Sequence, residues 1–210
     1  PIVAHRNRID FLVARLAEET RRVSSRNGVA RVFNLGCGPA HDVQRFLATE
    51  SPSDRAAFTL ADFNDETLAY TTGVLDQLKQ RHGRRTQIQM LKRSVQQLLK
   101  QADRAVERPS AEQYDVVFCA GLFDYLSDKV CRKLMEVFYG MLAPGGLLVT
   151  TNVDVHPSRG EMEHFLEWHL IHRNTQRMAS LTPAAAANPD DVSLVRDPTG
   201  VNIFLSVRKP

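Results

Sequence analysis

The β-rich apolar run at residues 29–35 enters Gly36-Cys37-Gly38-Pro39, and a helical pattern of Val43, Phe46 and Leu47 follows at once. Strand, tight glycine turn and helix in that order form one unit of a parallel α/β sheet. The unit then recurs along the chain. Residues 57–61 make a second strand ending in Asp62, and Asn64 is placed to cap a helix that carries Leu68, Thr72, Leu75 and Leu78 as far as Gly83. Residues 86–91 alternate Ile88 and Met90 with Gln87 and Gln89 as a third strand, and a helix follows over about 95–106. Residues 114–119 are almost continuously apolar, as a strand covered on both faces must be. Ser127 or Asp128 caps a helix with the inward stripe Val130, Leu134, Val137 and Phe138, and Pro144-Gly145-Gly146 turns the chain into a fifth strand at 147–153. The repeated alternation predicts a doubly wound α/β sheet with right-handed crossovers. The end differs: residues 192–196 and 201–207 flank Asp197-Pro198-Thr199-Gly200, whose Pro and Gly fit a type I turn, so an antiparallel hairpin closes a mostly parallel sheet.

A chain of 210 residues with 43% apolar side chains buries about 70% of its unfolded surface and needs no disulfide or metal to hold a core. Ile9, Leu12, Val13, Leu16 and Ala17 add an amphipathic helix over residues 7–23. The longest apolar runs, such as 116–120, fall far short of the roughly 18 residues of a membrane span, and no segment has the layout of a signal peptide. The chain begins at Pro1 without an initiator methionine, as a processed form or an excised piece would. Cys37, Cys119 and Cys131 are odd in number and contain no C-x-x-C pair, which argues against a disulfide framework or zinc site and for a cytoplasmic setting. A net charge of +3 is too weak to imply nucleic acid, and Arg81, His82, Arg84 and Arg85 around Gly83 read as a solvated helix end.

Ligands of open parallel sheets bind beyond the carboxyl ends of the strands. The first turn, Gly36-x-Gly38-x-x-His41, lacks the third glycine of a dinucleotide fingerprint, so a pyrophosphate is disfavoured. Its two glycines still let a ligand lie against backbone N–H groups at a helix N-terminus. Asp62 stands where a carboxylate accepts both hydroxyls of a ribose, and Phe63 beside it offers a flat surface for a base. Together these residues read as a nucleoside site.

Four ordered segments resemble the motifs of class I S-adenosylmethionine-dependent methyltransferases: Val32-Phe33-Asn34-Leu35-Gly36-Cys37-Gly38-Pro39, Leu60-Ala61-Asp62-Phe63-Asn64, Tyr114-Asp115-Val116-Val117-Phe118-Cys119-Ala120-Gly121-Leu122 and Leu142-Ala143-Pro144-Gly145-Gly146-Leu147-Leu148. The resemblance covers residues 29–153 and implies a Rossmann-like fold with a reversed last strand. It implies S-adenosylmethionine as cofactor, bound by Asn34, Gly36, Cys37, Gly38, Pro39, Asp62, Phe63, Ser94, Val95, Ala120 and Gly121. In that carry-over Gly36 and Gly38 pass under the methionine portion, Asp62 holds the ribose and Phe63 lies near the adenine. Ser94 and Val95 meet the adenine edge, and Ala120 and Gly121 line the floor. The family often has an acidic residue at Asn34 and Asp at Ser94; here Asn34 accepts from the ammonium and Ser94 from the adenine amine without a charge.

More narrowly, His5-Arg6-Asn7-Arg8-Ile9, Gly121-Leu122-Phe123-Asp124-Tyr125-Leu126, Phe165-Leu166-Glu167-Trp168-His169-Leu170 and Thr199-Gly200-Val201-Asn202-Ile203-Phe204 resemble a bacterial group associated with methyl ester signals of the 3-hydroxypalmitate type. That resemblance implies a small-molecule acceptor with an acyl chain, methylated on its carboxylate. A carboxylate is already a nucleophile at neutral pH, whereas a hydroxyl or ammonium acceptor must lose a proton to His or Asp. The acceptor is expected near Asp124, Tyr125, Asn152 and His156, with Tyr125 donating to its oxygen and His156 pairing with it or acting as base. The bland alternative makes Asp124 and Tyr125 the start of a loop and His156 an exposed loop residue. A lid helix is expected over 161–173, with Met162, Phe165, Leu166, His169 and Leu170 on one face and His164, Trp168 and His172 on another. His169 then faces inward, as a core or a catalytic histidine. His164 and His172 stand about 12 Å apart, too far for one metal ion, so no metal site is expected. Thr182 and Pro183 start a short helix over 184–187.

The expected organisation is a single domain over 1–210: a helical cap at 1–28, a cofactor core at 29–153, an acceptor lid at 154–191 and a closing hairpin at 192–210. Two rival functions stand beside it. An RNA methyltransferase is disfavoured because the fourth strand ends Cys119-Ala120-Gly121-Leu122 and no basic, aromatic-laced appendage is present. A regulatory module that binds S-adenosylmethionine without turnover is the other.

Overall fold

Alternation of side chains along the apolar segments builds two cores on one sheet. In the computed structural model, which describes residues 2–105, 113–157, 159–165, 167–186 and 188–210, strands β1 (Ala30–Leu35), β2 (Ala56–Asp62), β3 (Gln87–Lys92), β4 (Tyr114–Cys119) and β5 (Leu142–Val153) run parallel. Strands β6 (Val192–Arg196) and β7 (Asn202–Arg208) form the hairpin, and β7 pairs antiparallel with β5. The seven strands stand in the order β3-β2-β1-β4-β5-β7-β6. Phe33, Leu35, Val117 and Cys119 point into one core with Leu134 and Phe138. Val32, Val116 and Phe118, one residue out of step, point into the other with Leu16, Phe46 and Phe58. The doubly wound sheet with its antiparallel end is the fold the sequence predicts. Strand order reverses between β1 and β4, and a crevice opens there beyond the carboxyl ends.

The helices are α1 (Ile2–Ser24), α2 (His41–Thr49), α3 (Asp65–His82), α4 (Val95–Ala105), α5 (Asp128–Met141), α6 (Arg159–Phe165) and α7 (Thr175–Ala179). Asn64 caps α3 through the Thr67 N–H at 3.1 Å, and Gly83 ends it at φ 62°. Among the described residues no helix is long and apolar enough to cross a membrane. Val106, the expected end of α4, lies outside the described residues.

Three local expectations are corrected. Helix α1 begins five residues before Asn7, because its first two turns dock on the C-terminal hairpin: Asn7 donates to Asp197 at 2.8 Å and Asn202 donates to the Ala4 carbonyl at 2.7 Å. Pro144-Gly145-Gly146 lies inside β5, at an irregularity in the β4 pairing, and does not precede the strand. Residues 184–186 make a single turn closed by Ala186 N–H on the Pro183 carbonyl, with no helix, and Ala187 lies outside the described residues.

The lid helix over 161–173 is overturned as well. Helix α6 stops at Phe165, Glu167 takes φ 50°, and residues 167–174 form neither helix nor strand. Tertiary bonds override the helical spacing here. The Ile171 N–H reaches the Asp124 carbonyl at 2.7 Å and the Arg173 N–H the Val153 carbonyl at 3.1 Å. The Arg173 guanidinium is fully buried, at 0% exposure. It donates to the carbonyls of Phe123 (2.7 Å) and Leu126 (2.5 Å), to Asn152 Oδ1 (2.5 Å) and to Asp128 Oδ1 (2.9 Å). One side chain thus ties the turn after β4, the end of β5 and the start of α5.

Removing a buried, fully partnered cation orphans every acceptor around it. Arg173→Met should lower unfolding free energy by about 3 kcal/mol or more in urea titrations, and a loss under about 1 kcal/mol would show that the clamp is not structural.

Candidate active site

The crevice begins at the turn after β1. Gly36 and Cys37 both donate to the Ala61 carbonyl, at 2.8 and 3.1 Å. Gly36 and Gly38 take φ 69° and 51°, values that L side chains rarely adopt. A Cβ on Gly36 would stand 3.0 Å from Leu122, whereas a Cβ on Gly38 would meet nothing within 4 Å. The space over Gly38 is therefore open for a ligand to pass close to the backbone. Asp62 fixes this arrangement: its Oδ2 accepts the Gly38 N–H at 3.1 Å and its Oδ1 the Asn64 N–H at 3.0 Å. A carboxylate offers about four acceptor positions, so two remain for hydroxyls arriving from the crevice.

Above this turn lies a cavity of about 500 Å³. Its first end is lined by Gly36, Gly38, Pro39, Asp62, Phe63 and the Ser94–Val95 pair, with Ala120 and Gly121 along one side. The Phe63 ring is 69% exposed, an apolar surface left uncovered beside Asp62. Ser94 also caps α4 reciprocally with Gln97, its Oγ accepting the Gln97 N–H at 3.2 Å while Gln97 Oε1 accepts the Ser94 N–H at 2.9 Å. Its hydroxyl proton stays free to donate. Two expected residues stand outside the cavity lining. Asn34 is buried in the sheet, where its amide donates to the Phe118 carbonyl at 3.1 Å. Cys37 is buried too, and burial pushes its thiol up to about 12, leaving it neutral.

The other end gathers Asp124, Tyr125 and His156 against Met162, Trp168 and Leu170. Asp124 sits in the single helical turn after β4, buried, with Oδ1 accepting the Val153 N–H at 2.8 Å. Burial pushes its carboxyl up to about 6, against the pull of the Val153 N–H and of Arg8 and Arg173. The Tyr125 hydroxyl accepts from the Trp168 indole N–H at 2.6 Å and keeps its own proton to donate. His156 is buried, not exposed as the loop alternative had it. It lies edge-on to His172 with ring centroids 5.9 Å apart, and burial, then His172, lowers its pKa below the usual histidine value. Asn152 is withdrawn from the acceptor, because its amide holds the Ile171 and Val153 carbonyls and its oxygen accepts from Arg173. His169 and Phe165 are exposed, so the inward face drawn for the lid does not form.

Helix α1, expected as a cap, contributes a wall whose residues were not among the expected site residues. Ala4, His5 and Arg8 line the cavity. Arg8 Nη2 lies 3.0 Å from His5 Nδ1, and a Cβ on Gly121 would stand 2.9 Å from Arg8 Nη1. The signal was available: residues 5, 8 and 12 share one helix face, and Leu12 on that face is core.

A sequence model of the methyltransferase domain matches residues 33–148, more than half of the chain. No curated protein matches the sequence. Among solved structures, a Bordetella parapertussis protein described as a "possible exported protein" superimposes with TM-score 0.74 at 19% identity, over 100% of this chain and 69% of its own. Magnesium protoporphyrin IX methyltransferase from Synechocystis with bound S-adenosylhomocysteine gives 0.64 at 11% identity, over 99% and 84%. The N-methyltransferase NodS from Bradyrhizobium japonicum gives 0.52 at 16%, over 95% and 97%. These likenesses are of fold.

The folded chain holds the Asp124 proton with a pKa of about 6 against an ordinary 3.8. The resulting stabilisation is fully present below about pH 4 and is lost as pH rises through about 6. Asp124→Asn keeps an oxygen for Val153 and removes this titration. Urea unfolding should therefore show the variant gaining on the wild type by at most about 3 kcal/mol between about pH 4 and pH 7; a pH-independent difference would contradict the assignment.

Proposed function

Because this chain belongs to the methyltransferase domain family, we propose that it moves the methyl group of S-adenosylmethionine to the carboxylate of a small acyl acceptor, a 3-hydroxy fatty acid, giving a methyl ester. One observation carries the reading. One cavity is lined both by Asp62 and Phe63, a carboxylate beside an uncovered ring, and by Asp124, Tyr125 and His156 with the apolar side chains of Met162, Trp168 and Leu170. The open space over Gly38 fits a methionine chain laid along the backbone. The free acceptor positions of Asp62 take the ribose hydroxyls, Phe63 and Val95 flank the adenine, and the Ser94 hydroxyl lies at its edge. In this reading residues 1–28 cap the site, 29–153 bind the donor, 154–191 bound the acceptor and 192–210 close the sheet, all within one domain.

The bound donor supplies a sulfonium methyl carbon open to in-line displacement. The protein's part is chiefly positioning, since holding two reactants in line removes much of the barrier. Tyr125 donates its free proton to an acceptor oxygen, Asp124 accepts from an acceptor hydroxyl, and neutral His156 stands ready to bond the acceptor or take a proton from it. A carboxylate acceptor already carries its nucleophilic lone pair, so no strong base is required. Met162, Trp168 and Leu170 exclude water and cover the start of an acyl chain. A cytoplasmic setting fits the three unpaired thiols.

Asp62→Ala should weaken S-adenosylhomocysteine binding at least tenfold in calorimetry, and unchanged affinity would remove Asp62 from the donor site. With label on the donor's methyl group and cell extract as the source of acceptors, mass spectrometry should find labelled methyl esters of 3-hydroxy fatty acids. Label confined to amines, or to RNA, would refute the acceptor class.

A further inference from the structure

Arg8 is a cation with unused donors facing the cavity. Its guanidinium has five N–H groups, and its one side-chain hydrogen bond among the described residues is to His5 Nδ1 at 3.0 Å. That bond needs a bare nitrogen, so His5 stands as the acceptor. Partial burial and the charge of Arg8 both push the His5 pKa below the usual histidine value, which keeps the ring neutral. His5 therefore orients Arg8 without neutralising it. Among the described residues, two carboxylates feel the Arg8 charge without a hydrogen bond to it: Asp124 in the cavity wall, whose Oδ1 is on the Val153 N–H and whose pKa burial holds near 6, and Asp42 outside the wall, whose Oδ1 is on the Val43 N–H and whose pKa burial raises. The guanidinium lies over Gly121 in the cavity wall, where a Cβ on that residue would stand 2.9 Å from Nη1. Helix α1 is fixed in place there by Asn7 on Asp197 and by Asn202 on the Ala4 carbonyl.

We propose that Arg8, oriented by His5, is the carboxylate receptor of the cavity, a planar fork placed over Gly121 to take a ligand carboxylate in a bidentate pair. Guanidinium and carboxylate match in this geometry, and a partly buried pair of this kind is stronger than one in open water. Two ligands of the proposed reaction carry such a group: the donor, at its amino-acid end, and the acyl acceptor. The inference rests on the methyl-donor reading given above.

The test uses Arg8→Met, which keeps an unbranched apolar stem and removes the charge and the donors. Affinities are measured by calorimetry for S-adenosylhomocysteine and for its decarboxylated analogue, which retains adenosine, sulfur and amine. With S-adenosylhomocysteine present, they are measured for 3-hydroxydecanoate and for 1,3-decanediol. A loss of tenfold or more for S-adenosylhomocysteine, with the decarboxylated analogue within twofold of wild type, supports the proposal and assigns Arg8 to the donor. Unchanged S-adenosylhomocysteine binding, with a tenfold loss for 3-hydroxydecanoate and none for the diol, supports it and assigns Arg8 to the acceptor. Equal losses with and without the carboxylate, or no loss for any ligand, overturn it while wild-type binding leaves the donor reading standing. Failure of the wild-type protein itself to bind S-adenosylhomocysteine overturns both.

Discussion

The Asp62 carboxylate is the junction on which the crevice depends. In a parallel sheet the N–H groups leaving the end of a strand have no partner in the next turn, and burying them unpaired is costly. Here the end of β2 satisfies them: the Ala61 carbonyl takes Gly36 and Cys37, and the Asp62 carboxylate takes Gly38 and Asn64. The glycine turn, the start of α3 and the mouth of the cavity are thereby held by two consecutive residues. Because a carboxylate can accept more than two hydrogen bonds, the same group organises the turn and still offers acceptors to a ligand.

The far side of the site is organised by long-range polar contacts. Arg173 brings together the turn of Asp124 and Tyr125, the end of β5 and the first turn of α5. Helix α1 is tied to the C-terminal hairpin at its start by Asn7 and Asn202. Near its end the buried Glu19 accepts from Arg208 at 2.5 Å and from Arg22 at 2.7 Å. The two chain ends therefore clasp each other, and the first helix is carried over the carboxyl end of β4, where Arg8 meets Gly121.

Periodicity made the sheet legible. Alternation and glycine turns located the seven strands and the doubly wound class, because a buried sheet leaves a direct imprint on local sequence. Part of the cavity lining was legible as well: Gly38, Asp62 and Phe63 follow from the ends of the first two strands, and Ser94 and Val95 from the family resemblance. What failed was set by tertiary contacts. The segment after Phe165 has helical spacing, yet it is held out of a helix by bonds to Asp124, Val153 and the Arg173 acceptors, none of which is near in sequence. Asn152 has the look of a site residue and is consumed by Arg173 and the Ile171 carbonyl. Asn34 is spent on the Phe118 carbonyl. Arg8 and His5 were marked as part of a resembling segment but not as site residues, because the helix face shared with Leu12 places them on the sheet and only the hairpin contacts place that face over the cavity.

The central proposal is that Asp62 and Phe63 would hold the methyl donor by its nucleoside in the cavity they line. A crystal structure with S-adenosylhomocysteine tests it most directly. The account predicts ribose hydroxyls within hydrogen-bond distance of the Asp62 carboxylate, adenine beside Phe63 and Val95, and the amino-acid chain over Gly38. Density for the ligand elsewhere, or in this cavity with the ribose turned away from Asp62, would contradict it.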